Sequence, residues 1–298
     1  MEYISLHKKV TLSRIIQGFW RLHTWNFTAQ QFAEFMNACI DRGVTTFDTA
    51  EIYGDYETEN LIGAALAYDP TLRSRMQIVT KTGINKVSTK YTYQMGHYDT
   101  RYEKIIASCK ASIAKMNCAY IDVYLIHRED KLINHKEVAR AFHDLQEEGL
   151  ILSAGVSNFD PHKLRALYHH SNGQLVTNQI EWNPLVFEHI DSGMLDYLQE
   201  IEVHPMVWSP LAGGSIFVSD DPSCVKLRTV LQQIAEKKNV DLDTIVYAWI
   251  LKHPVKAMPI SGSQKLERLD HAIQALDIEL TNEEWYMIYN ASGIARIR

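Results

Sequence analysis

Four residues able to handle a proton fall where β-rich runs end. Asp48 lies in TTFDTA (45–50), Tyr53 in the loop that follows, Lys81 in QIVTKT (77–82) and His127 at the end of DVYLIH (122–127). A phenol holds its proton to about pH 10, so it becomes a useful acid near neutrality only beside a cation. Lys81 has the charge to do this, and Asp48 has the charge to hold and orient the lysine. His127 is placed to hydrogen-bond a carbonyl oxygen or to tune the phenol's proton. Such a set suits carbonyl reduction, in which an alkoxide forming as hydride arrives must receive a proton. Each residue alone has a plainer reading as a turn residue, a half-buried aromatic, a solvated charge or a core histidine. The set carries chemistry only if the fold brings the four to one rim.

The elements that must do this alternate along the chain. Eight apolar, β-rich runs read as strands: 15–19, 45–50, 77–82, 122–127, 152–159, 177–181, 205–210 and 256–262. Helix-period segments lie between them, among them TAQQFAEFMNACIDRG, ETENLIGAALAYD and HKEVARAFHDLQEEG, with Gly43 and Gly149 at helix stops. LDTIVYAWILKHP and TNEEWYMIYNA break the one-to-one alternation and read as additions. An eightfold βα repeat closes most economically as a parallel (β/α)8 TIM barrel of the α/β class, whose catalytic groups belong at the C-terminal strand ends. An open doubly wound sheet is the alternative, but no GxGxxG follows a strand. No linker interrupts the series, so residues 1–298 read as one domain, with MEYISLHKKVTLSRI as a hairpin closing the barrel floor.

Composition narrows the partners. With 46% hydrophobic and 22% charged residues the chain is globular, and a net charge of -6 gives no electrostatic reason to bind nucleic acid or an anionic membrane. A small molecule is the expected partner. Cys39, Cys109, Cys118 and Cys224 have no close pair, which points to free thiols in a reducing cytoplasm. No signal-peptide pattern or membrane-length apolar run is present.

The motifs in order resemble the aldo-keto reductase superfamily nearly end to end. GVTTFDTAEIYGDYETENLIGAAL is similar to the DTAxxYG signature followed by ExxxG (Glu59, Gly63). VTKTG, YLIHRED, GVSNF and NQIEWNP are similar to the lysine, histidine, serine–asparagine and glutamine strands. More narrowly, the chain resembles the bacterial YdhF-like oxidoreductases. The resemblance implies a tetrad of Asp48, Tyr53, Lys81 and His127, with Tyr53 as acid in reduction and base in oxidation. It further implies a nicotinamide cofactor laid across the barrel mouth without a Rossmann domain, and a monomer. The cofactor's carboxamide would meet Ser157, Asn158 and Gln179, and Trp208 would stack on its ring where the family more often has Tyr or Phe.

Gly18 joins the cofactor set. In SPLAGGS, Ser209, Pro210, Leu211 and Gly213 offer small residues through which backbone N–H groups approach a pyrophosphate. Ser261, Gly262 and Ser263 precede a helix, a usual place for a phosphate. Lys265 and Arg268 are the candidates for the 2′-phosphate that separates NADP from NAD. Ile260 and Ala272 depart from the commoner family pattern, which has a cation and an asparagine there. Trp20, Tyr56, Trp182 and the segment 90–100 are the candidate substrate pocket for an aldehyde or ketone. Three other readings remain: a Schiff-base barrel using Lys81, a nicotinamide-binding sensor subunit with little turnover, and a metal-dependent hydrolase, which the lack of clustered histidines disfavours.

Overall fold

A computed structural model describes residues 1–6 and 10–293. The chain begins with an antiparallel hairpin, β1 (Tyr3–Leu6) and β2 (Val10–Ser13), in which Ile4 pairs with Leu12. Eight parallel strands then close a barrel: β3 (Ile16–Gly18), β4 (Thr46–Asp48), β5 (Gln77–Thr82), β8 (Ile121–Ile126), β9 (Ile151–Ser157), β10 (Leu175–Glu181), β11 (Met206–Trp208) and β12 (Met258–Ser261). Their neighbours run β3-β4-β5-β8-β9-β10-β11-β12 and back to β3. Each expected strand run thus contributes one staves of the closed sheet. Between β5 and β8 an excursion forms a short antiparallel pair, β6 (Ile84–Asn85) and β7 (His97–Tyr98).

Two cores follow from the period-two alternation of strand side chains. Ile16, Val79, Val123, Leu125, Val176, Met206 and Met258 fill the barrel interior, and Ile4, Leu6, Val10 and Leu12 of the hairpin join that cluster. The hairpin therefore plugs the floor, as its sequence suggests. Phe47, Ile78, Tyr124, Ile180 and Val207 point outward into a larger layer packed by the helices.

Helix starts match their capping residues. Thr28 and Gln31 form a capping box on the helix Ala29–Asp41, and Asp160 accepts from His162 N and Lys163 N at the head of Pro161–His170. The two additional helices are present as Leu242–Leu251 and Asn282–Ala291. They join through stacked Trp249 and Trp285, whose ring centroids lie 5.1 Å apart. No helix among the described residues is long and apolar enough to cross a membrane.

Candidate active site

Strand parity carries the four proton-handling residues to the mouth. On β5, Val79 and Lys81 share a face, and on β8, Val123 and Leu125 lead to His127 on the same face. Lys81 is fully buried. Its Nζ donates to Oδ1 and Oδ2 of Asp48 at 2.8 Å each, to the Thr49 carbonyl at 2.7 Å, and to the Tyr53 hydroxyl at 3.4 Å. Those partners use all three ammonium protons, so the Tyr53 oxygen receives one hydrogen bond and keeps its own proton to give. From the opposite wall Gln179 Nε2 donates to Asp48 Oδ2 at 2.8 Å. Burial pushes the Asp48 carboxyl up and the Lys81 ammonium down, and their mutual contact opposes both shifts.

The Tyr53 ring lies 5.7 Å from the His127 ring, edge to face. Burial pushes the phenol well above its ordinary value, Asp48 adds to that rise, and Arg128 opposes it. The hydrogen bond from Lys81 works in the other direction, since it favours the phenolate. Asp48 lies at contact distance from the ammonium and offsets its field at the hydroxyl. Burial first, then Lys81 and Arg128, hold His127 well below the usual histidine range, so the imidazole is neutral at neutral pH. Its Nδ1 is buried without a protein partner.

Ser157, Asn158, Gln179 and Trp208 are brought together beside this cluster. Ser157 Oγ donates to the Gln179 carbonyl at 3.0 Å, and Asn158 Nδ2 donates to Ser157 Oγ at 2.7 Å and to the His127 carbonyl at 3.3 Å. Trp208 Nε1 donates to Asn158 Oδ1 at 2.9 Å, which fixes the indole at the rim. Arg128, absent from the sequence reading, lies over the Trp208 ring at 5.4 Å. Its signal was available, since it directly follows a strand-end histidine.

The remaining cofactor candidates line the loops around β11, β12 and β3. Pro210 is buried, Ser209 and Leu211 are half-buried and Gly213 is exposed. A Cβ at Gly214 or Gly262 would meet nothing within 4 Å, so backbone there is open to a ligand. The Ser261 hydroxyl is buried beside the Tyr247 hydroxyl, and Gln17 Nε2 donates to the Ser263 carbonyl at 3.2 Å. Gly18 has a packing reason as well, because a Cβ there would come within 2.6 Å of Ile260. Lys265 is exposed at the start of the helix Leu266–Gln274, whereas Arg268 Nη1 donates to Asp243 Oδ2 at 3.2 Å. Arg268 is therefore already paired with an acid. The open backbone at Gly214 and Gly262 and the half-buried indole of Trp208 leave room and a flat ring for a cofactor at this rim.

In front of Tyr53 is a cleft of about 380 Å3 lined by Trp20, His23, Ile52, Tyr53, Asp55 and Lys86. Trp20 is on it as expected. Two other pocket assignments are corrected. Trp182 is fully buried in the outer layer against Trp249 and His253, at 5.6 and 5.3 Å between centroids. Gln179 faces inward, so by alternation Trp182, three positions on, faces outward. Tyr56 is buried beneath its loop, where its hydroxyl accepts from Lys86 N at 2.8 Å and its ring packs on Tyr91. From the segment 90–100, Tyr91 and Tyr93 stack at 5.4 Å beside Tyr56.

Fold and mouth define the class first: a closed parallel barrel with a buried ionic cluster at the C-terminal rim of its strands. The chain belongs to the aldo/keto reductase family, whose family model matches residues 14–292. Oxidoreductase YdhF of Escherichia coli (strain K12) is 40% identical, over 94% of this chain and 93% of its own. A 6-dehydroglucose reductase of Agrobacterium fabrum is 38% identical over 97% of both chains. The crystal structure of the thermostable aldo-keto reductase Tm1743 with the inhibitor epalrestat superposes with a TM-score of 0.81 at 26% identity, over 98% of this chain and 100% of that one. The protein is thus an oxidoreductase of this family, whose members generally use a nicotinamide cofactor.

Proposed function

We propose that the protein is an NADP(H)-dependent reductase of aldehydes or ketones, with Tyr53 as proton donor. The observation that carries this is the Lys81 ammonium, saturated by Asp48, Thr49 and Tyr53, which leaves the phenol proton free on the side of the 380 Å3 cleft. When bound, the reduced nicotinamide supplies the hydride. Trp208, Asn158, Ser157 and Gln179 would hold its ring and amide, and the loop 209–214 with Ser261, Gly262 and Ser263 would hold the phosphates. Lys265 is the freer candidate for the 2′-phosphate, because Arg268 is engaged by Asp243.

The chain's own residues then divide the work. Neutral His127 points a ring at the substrate oxygen without competing for its proton, and Tyr53 delivers that proton to the forming alkoxide. An alkoxide is a stronger base than a phenolate, so transfer runs downhill even from a phenol raised by burial. Lys81 follows the charge, since the new phenolate accepts its hydrogen bond more strongly than the phenol did. Asp48 holds Lys81 in place, and Gln179 holds Asp48. Residues 1–298 act in this reading as one domain, and four free cysteines, three of them buried, support a reducing cytoplasmic setting.

A Schiff-base reading asks Lys81 for a free, unprotonated amine, and its three contacts leave it none. Borohydride with substrate should leave Lys81 unlabelled. The sensor reading is decided by turnover: NADPH oxidation followed over a panel of aldehydes and ketones, with a sugar aldehyde included because of the 6-dehydroglucose reductase relative, is expected to show steady-state consumption. Cofactor binding without consumption across the panel would contradict the proposal.

A further inference from the structure

The proton-donor loop has a backbone that sequence alone does not account for. Directly after Tyr53, three consecutive residues adopt left-handed conformations: Gly54 (φ 56°), Asp55 (φ 55°) and Tyr56 (φ 68°). Glycine enters that region freely and aspartate tolerates it, but a bulky tyrosine there is an outlier that the surroundings must enforce. The enforcement comes from the excursion between β5 and β8. Lys86 N donates to the Tyr56 hydroxyl at 2.8 Å, Ser88 Oγ donates to Asp55 Oδ2 at 2.9 Å, and the Tyr91 ring packs on Tyr56 at 4.6 Å. What this stitching places on the cleft wall beside Tyr53 is one carboxylate and one ammonium, Asp55 and Lys86.

The pair is open. Lys86 Nζ lies 3.7 Å from Asp55 Oδ1, and both side chains are about half-exposed at 53% and 41%. That distance is too long for a direct hydrogen bond. A carboxylate only accepts and an ammonium only donates, whereas a hydroxyl does both. A hydroxyl seated between them can accept from Lys86 and donate to Asp55 Oδ1, two hydrogen bonds that an alkyl substituent in the same place cannot make. A carboxylate at the same place would meet Asp55 as a like charge. Across the cleft, Trp20 is 61% exposed, a flat apolar platform for the C–H face of a polyol.

We infer that Asp55 and Lys86 form a hydroxyl clamp, and that the enzyme selects carbonyl substrates carrying hydroxyl groups near the reacting carbon over their deoxy counterparts. This rests on the proposed reductase reading. It assigns specificity to a pair on two different segments, neither of which touches the proton-transfer step.

The test compares kcat/KM for glyceraldehyde and propanal with NADPH, each expressed on its free-carbonyl fraction, in the wild type, Asp55→Asn and Lys86→Met. Asparagine keeps the left-handed turn and can still accept from Ser88, so the loop is retained. The wild type should favour glyceraldehyde by about 10- to 100-fold, the scale of one charge-assisted hydrogen bond, and each variant should bring that ratio towards one, chiefly through KM for glyceraldehyde. A wild-type ratio near one, or variants that keep the wild-type ratio, would overturn the clamp. If the wild type reduces neither aldehyde nor any other carbonyl, the reductase reading itself fails and takes the clamp with it.

Discussion

At the scale of single residues, the electrostatics of the mouth keep the Tyr53 phenol protonated at rest. Burial first and Asp48 second raise the Tyr53 phenol, and Arg128 lowers it. Reduction needs the protonated phenol, so its rate should stay flat from pH 6 to 8, with no step near pH 6.5 because His127 is held neutral throughout. Oxidation needs the phenolate. With the phenol raised above its ordinary value of 10.0, the rate of alcohol oxidation should climb about tenfold per pH unit through the neutral range. Removing the cation should exaggerate this: Arg128→Met is expected to lower the oxidation rate at pH 8 by more than the reduction rate. Paired pH–rate profiles check it, and equal losses in both directions would show that Arg128 acts by packing on Trp208 alone. The meeting of Asp48, Tyr53, Lys81 and His127 at one rim was legible from residue types at strand ends. The direction of the phenol's shift was not, because sequence shows neither the burial of Tyr53 nor the place of Asp48 beside it.

At the scale of elements, the start of the helix Thr58–Tyr68 fixes the Tyr53 loop, with Glu57 N and Thr58 N donating to the Tyr53 carbonyl at 3.2 Å each. Gly63 on that helix packs against the end of the helix Tyr102–Lys115 so closely that a Cβ would lie 2.0 Å from the Lys115 carbonyl oxygen. That obstacle is backbone, so it cannot rotate away. Gly63→Ala should destabilise the protein by about 1–3 kcal/mol, the range of overpacking, read as a lower urea midpoint with an unchanged slope. Element order was legible because hydrophobic period switches between two and 3.6 along the chain. What sequence hid were the short pieces, such as β6 and β7, whose two-residue length leaves no period to read. The tyrosine-rich segment read as pocket wall instead braces the loop that follows Tyr53, through Tyr91 against Tyr56. Trp182 shows a different limit: its parity relative to Gln179 was readable, and weighing aromatic type over alternation put it on the wrong face.

At the scale of the whole molecule, the barrel separates stability from chemistry. The hairpin seals the floor with Ile4, Leu6, Val10 and Leu12, and the polar groups collect at the opposite end. The proposed preference for NADP is tested at this mouth. If Lys265 reads the 2′-phosphate, fluorescence titration should show NADPH binding more tightly than NADH, and Lys265→Ala should weaken NADPH by about tenfold while leaving NADH unchanged. Arg268→Ala should do less, since Asp243 already engages that guanidinium. The central claim is that the Tyr53 hydroxyl, held by Lys81, supplies the proton for carbonyl reduction, and single-turnover reduction by Tyr53→Phe tests it most directly. The account predicts NADPH affinity within about twofold of the wild type and a reduction rate lower by at least about 100-fold. A variant that binds NADPH and still reduces the carbonyl at near wild-type rate would contradict it.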